Sequence, residues 1–307
     1  MRGLHARLCA IALSLAICLA PAAHAGDACE DITLPPQAVA AAADNALRVA
    51  AALDAEDAPV AIVSRVGTDL SKHGLFYSHA GFALRDHPDG RWTVIHLLNA
   101  CGTDRSALHA QGLVNFYADD LIRPDTRITW LRNDLADALA AHLLALQDHS
   151  APRLHTPRYS TIARPGSREY QNSTAWMLET LALAEGRARG LTVRDRGAAF
   201  TLAQLQGFTP DTVRIAYRKR IVGGLFAANV AFTDHSVGTR LSGDYPVVTV
   251  RAILRWLASN GAIAQEREWR DGRESTTPEA SMASADANAH MQWWAEKESN
   301  LPSSEST

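Results

Sequence analysis

Two β-capable runs, Tyr77 to Arg85 and Arg91 to Leu98, flank the segment Asp86-His87-Pro88-Asp89-Gly90. A Pro/Asp/Gly cluster between two such runs closes a β-hairpin and commits the adjoining chain to an antiparallel sheet. Around this hairpin, Gln37 to Ala55 is Ala-rich and free of Gly and Pro, which favours a helix. Val60 to Val66 and Thr126 to Arg132 read as strands, and Asn133 reads as the cap of a helix carrying Leu135, Leu139 and Leu143. Residues 148–170 hold three prolines and little periodicity, as a long surface loop does. A helix resumes at Ser173, with Trp176, Met177, Leu181 and Ala184 on one side and Gly186 near its end. Further helices are expected at Thr201 to Gln206 and Val247 to Ala258, with a last strand at Ala262 to Trp269. Helices around a mainly hairpin-connected sheet make this an α+β chain rather than a doubly wound one.

The ends of the 307-residue chain are of a different kind. Residues 1–25 begin with Arg2, His5 and Arg7, run apolar from Leu8 to Ala20 and close on Ala23-His24-Ala25, the anatomy of a secretory signal peptide. The apolar run is about 13 residues, short of the roughly 20 that span a bilayer, and no transmembrane segment is expected. Ile17 before Cys18 does not fit a lipoprotein signal. Removing the leader leaves Cys29 and Cys101, either bridged in an oxidising compartment or two separate thiols. Residues 271–307 are rich in Ser, Thr, Ala and Glu and are read as a disordered tail, which leaves 29–270 as one folded domain. A net charge of −3 gives no broad basic surface for nucleic acid.

The chemistry-bearing residues fall in two segments. His79 in Tyr77-Ser78-His79-Ala80-Gly81-Phe82 and His96 in Val94-Ile95-His96-Leu97 lie inside adjacent strands, on a spacing that lets them meet. One imidazole then serves as a base while the other orients it. A nucleophile is best placed at a helix N-terminus, and Tyr170-Gln171-Asn172-Ser173-Thr174-Ala175-Trp176 has that form, with Asn172 as cap and Ser173 in the first turn. The alternatives are a satisfied histidine at each position and an ordinary helix start. Cys101, five residues after His96, is a rival nucleophile but reads better as a structural thiol. A zinc site from His79, His96, Asp234 and His235 lacks the usual ligand spacings, so neither metal nor cofactor is expected.

On Tyr77 to Phe82, Val94 to Leu97 and Tyr170 to Trp176, the chain resembles the permuted papain-like enzymes, which include NlpC-type cell-wall peptidases and lecithin-retinol acyltransferase-like proteins. More closely, it is similar to a family of exported proteobacterial proteins of unassigned function. The residues carrying that likeness are Ser64-Arg65-Val66-Gly67-Thr68-Asp69-Leu70-Ser71 through Gly81, Asn99-Ala100-Cys101-Gly102, Gln111-Gly112-Leu113, Tyr170 through Trp176, and Asp234-His235. The resemblance implies a permuted papain-like fold, with a mainly antiparallel sheet and a helix that carries the nucleophile position. It implies His79 as general base, His96 as orienting residue and Ser173 in the nucleophile position, with Tyr77, Asn172 and Trp176 as substrate contacts.

Two positions depart from the family pattern. Serine stands at 173 where the family has cysteine, and a serine hydroxyl does not share the resting thiolate–imidazolium state of a Cys/His pair. Ala175 stands where the family has Gln or Glu, so the reciprocal bond of a capping box is lost. Two functions are therefore expected. One is an exported, periplasmic hydrolase or acyl transferase acting on peptide, peptidoglycan-stem or lipid acyl groups. The other is a non-catalytic descendant that binds a peptide or cell-envelope component in the same cleft.

Overall fold

The computed structural model describes residues 34–119, 123–147 and 154–275. The expected leader, Cys29 and residues 276–307 lie outside them. Seven strands form one sheet: β1 (Val60–Val66), β2 (His79–His87), β3 (Gly90–Asn99), β4 (Ser106–Gln111), β5 (Arg123–Leu131), β8 (Ile263–Arg270) and β9 (Arg273–Glu274). Their order is β4-β3-β2-β1-β5-β8-β9, and every neighbouring pair is antiparallel. The chain is thus α+β with a mainly antiparallel sheet.

Successive strand residues point to opposite faces, and helices cover both. Val60, Ile62, Phe82, Leu84, Ile95 and Leu97 share one core with α3 (Asn133–Ala145), α4 (Ser173–Ala188) and α8 (Val250–Ser259). Ala61, Val63, Ala83, Val94, Ile128 and Trp130 share the other with α1 (Pro36–Asp54) and α2 (Leu113–Ala118). Central β1 is buried at all seven residues, which explains why its sequence is a nearly continuous apolar run rather than an alternating one. Beside α4 lies α5 (Arg196–Leu205), and β6 (Asp211–Arg214) pairs with β7 (Asp244–Val247) in a small second sheet. Between β6 and β7 run α6 (Tyr217–Phe226) and α7 (Val237–Ser242).

The hairpin forms where expected, but its turn is tighter: His87 pairs with Gly90, which leaves Pro88-Asp89 at the tip. Three expectations are corrected. Asn133 is the first residue of α3 rather than its cap, and Asp134 Oδ1 accepts from the Leu135 N–H at 2.8 Å. The helix expected from Val247 starts at Val250, because Val247 is held in β7 and Thr249 Oγ1 caps the helix from outside, accepting from the Ala252 N–H at 3.0 Å. The tail does not begin at 271: Asp271 and Gly272, with φ of 49° and 75°, form the primed turn favoured by Asp-Gly and return the chain as β9. Strands β4, β6 and β7 and helices α2, α6 and α7 were not anticipated.

Gly81 shows why the hairpin motif has a glycine. A Cβ there would lie 2.5 Å from Val94 Cγ1 and 3.1 Å from His96 Cβ. Gly81→Ala is expected to cost about 1–3 kcal/mol by overpacking, read from urea unfolding. Adding Val94→Ala should recover part of that loss, and strictly additive effects would refute the steric explanation.

Candidate ligand-binding site

The two hairpin histidines meet. His79 Nε2 and His96 Nδ1 are 2.8 Å apart, and His96 Nε2 lies 2.9 Å from Gln111 Oε1. The amide oxygen can only accept, so His96 donates from Nε2 and its bare Nδ1 accepts from His79 Nε2–H. Both rings face Phe116 of α2, at centroid distances of 6.0 and 5.3 Å. Arg65 lies over the same ring at 5.3 Å and pairs with Asp119 at 3.1 Å. Burial, then the Arg65 charge and His96, holds the His79 imidazole well below its ordinary pKa. Burial brings His96 down to about 3, against the opposing pull of its bond to Gln111. The pair is neutral at physiological pH.

Ser173 is elsewhere. It opens α4, on the sheet face where Trp176 packs on Phe82 at 5.5 Å, whereas both histidines lie on the face covered by α2. The expected arrangement of Ser173 with His79 and His96 is therefore not formed, and the sheet stands between them. Strand parity explains this: Ala80, Phe82 and Leu84 of β2 face α4, so His79, one residue out of phase, faces away.

What Ser173 does face is a cavity of about 540 Å³. Ser173 is 9 % exposed and, among the described residues, its side chain makes no hydrogen bond to any other side chain. Asn172, Thr174, Tyr77 and Ser78 line the same space, as does His73 from the short 3-10 turn Ser71–His73. The α4 start is firm despite Ala175. Asn172 Oδ1 accepts from the Ala175 N–H at 2.7 Å, and Thr174 Oγ1 donates to the Val248 carbonyl at 2.6 Å. The cavity also holds Lys72 and Lys219, which the sequence reading did not single out.

Most other motif residues have a structural use. Tyr77 donates its hydroxyl to Glu268, and Ser78 Oγ accepts from the Gly67 and Thr68 N–H groups at 2.9 and 2.8 Å. Gln171 bridges Thr156 N–H, the Leu154 carbonyl and Glu179. Of the three expected substrate contacts, Tyr77 and Asn172 line the cavity, whereas Trp176 is fully buried in the core and does not. Cys101 is disulfide-bonded, which removes it as a rival nucleophile. His235 donates Nε2–H to the Ile162 carbonyl, and Asp234 accepts from Ser167 and the Arg164 N–H, so both are engaged in holding the 160s loop.

Fold and cavity together define an α+β protein with a helix-covered antiparallel sheet and a ligand-sized cleft at the start of the core helix α4. Residues 52–257 match the sequence profile of a family described as "Uncharacterized protein conserved in bacteria (DUF2145)", and the chain belongs to that family. Neither the curated proteins nor the solved structures contain a match to it.

Proposed function

We propose that this chain is a non-catalytic, exported binding protein that holds a cell-envelope component in the cavity at the start of α4, on a scaffold related to the permuted papain-like proteins. One observation carries the reading: Ser173 reaches the cavity, while the histidine pair that would activate it faces the opposite side of the sheet. A serine hydroxyl needs a base in hydrogen-bond reach as it attacks. His79 instead donates to His96, and the relay ends on Gln111. The helix start, which in a papain-like enzyme serves the nucleophile, retains its use as a polar end to a binding cleft.

The competing reading is an exported hydrolase or acyl transferase with Ser173 as nucleophile. In its favour are the unbonded Oγ of Ser173 and the presence of His73 in the same cavity. Intact-mass detection of a fluorophosphonate adduct separates the two. The expected result is no adduct on the mature protein. An adduct lost in Ser173→Ala and in either His79→Ala or His73→Ala would overturn the binding-only reading and name the base.

A further inference from the structure

The chain contains only three lysines, at 72, 219 and 297, among 30 basic residues. Two of them, Lys72 and Lys219, reach the one cavity from opposite segments, the 3-10 turn and α6. Neither has an ion-pair partner among the described residues, and no Asp or Glu among those residues lines the cavity. The third cation there, Arg214, is already paired with Asp244 at 2.9 Å. Burial, then Lys72 and Lys219, holds the His73 imidazole below its ordinary pKa, as uncompensated positive charge would.

Much of the remaining wall is aliphatic, with Leu75, Ile162, Val213, Ile215, Val247 and Val248 lining the space, and the hydroxyls of Tyr77, Ser78, Thr174 and Thr249 that also border it are bonded to protein partners. A peptide laid against it would bury an N–H and a C=O at each residue without partners, at a cost of about 1–3 kcal/mol for each. A hydrocarbon chain has no such groups. The volume of about 540 Å³ suits a small amphiphile rather than a polymer. Ser173 is the second observation pointing to a ligand: nine-tenths buried, without a side-chain hydrogen-bond partner among the described residues, and facing this space. Its hydroxyl can donate to a ligand oxygen, next to first-turn N–H groups that an α-helix leaves free.

We infer that the cavity binds a single acyl chain ending in an anionic head, with the head held by Lys72, His73 and Lys219 and the chain lying against the β6 and β7 wall. The inference rests on the reading of this cavity as a binding site and names its ligand class. A carboxylate head would come from a free fatty acid and a phosphate head from a lysolipid or alkyl phosphate; the recognition chemistry is shared.

The test is displacement of cis-parinaric acid fluorescence from the delipidated mature protein by decanoate, decyl phosphate and decanol. Decanoate or decyl phosphate should displace the probe at least tenfold more effectively than decanol, and whichever is stronger identifies the head group. Lys72→Glu/Lys219→Glu changes two exposed side chains, so circular dichroism should be unaltered, while the affinity for the anionic ligands falls at least tenfold and that for decanol stays the same. Equal displacement by decanol, an unaffected double variant, or no displacement at all would overturn the assignment. A fluorophosphonate adduct on Ser173 alongside decanoate binding would remove only the non-catalytic reading. Absence of both would remove only the acyl-anion ligand.

Discussion

At pH 8, above the raised pKa of Glu179, Glu179→Ala is expected to destabilise the protein by about 3–5 kcal/mol, the cost of breaking a buried ion pair from one side. Glu179 lies on α4 and is 1 % exposed. Its two oxygens accept from Arg196 at 2.7 and 3.1 Å, and one also accepts from Gln171 Nε2 at 2.6 Å. Arg196 continues to Thr156 Oγ1 and the Tyr170 carbonyl, and Gln171 to Thr156 N–H and the Leu154 carbonyl. Truncation leaves a largely buried guanidinium without its counter-ion and unties the segment that leads into Asn172 and Ser173. Urea unfolding with an unchanged m-value reads the effect. Glu179→Gln retains an acceptor and should lose less, and a loss under about 1 kcal/mol for Glu179→Ala would show that the network does not support the α4 start.

Acidification from pH 7 to 5 is the second large effect. Burial lowers His96 to about 3, and burial followed by Arg187 lowers His142 to about 4. Between pH 6.5 and those values the unfolded chain binds protons that the folded chain refuses, so stability falls with pH, by about 2 kcal/mol for each of the two at pH 5. His79, His235 and His73 are shifted in the same direction. Glu179 acts oppositely: burial raises it to about 7 against the pull of Arg196 and Gln171, so the folded chain takes up a proton first and regains about 2 kcal/mol over the same interval.

His142→Leu isolates one of these contributions. His142 is fully buried on α3, and its Nε2 has no partner. The leucine variant should match or slightly exceed wild-type stability at pH 7 and exceed it by about 2 kcal/mol more at pH 5. A constant difference across that range would refute a neutral, acid-penalised His142.

Much of the local structure was legible. The Pro/Asp/Gly cluster at 86–90 specifies a hairpin, and the hairpin spacing brings His79 and His96 into hydrogen bond. Asn172 is the N-cap its sequence context announces. Strand β4 was hidden because an edge strand with His109 and Gln111 does not alternate cleanly, and α2 is only six residues long. The site residues Lys72, His73 and Lys219 left one usable trace, the scarcity of lysine in a chain rich in arginine.

The sequence by itself determined the central hairpin, most of the core helices and strands, the α+β class, the histidine pair and the capped start of α4, because each depends on residues near one another along the chain or across one tight turn. Only the tertiary structure decided on which side of the sheet each group lies. The strands at the centre are buried on both faces, so no polar and apolar alternation marks the α4 side from the α2 side. A one-residue difference in phase then places His79 away from Ser173. Likewise, no local pattern brings Lys72 to Lys219; the packing of α6 and the β6–β7 sheet beside α4 does, and it is that packing which makes the cavity.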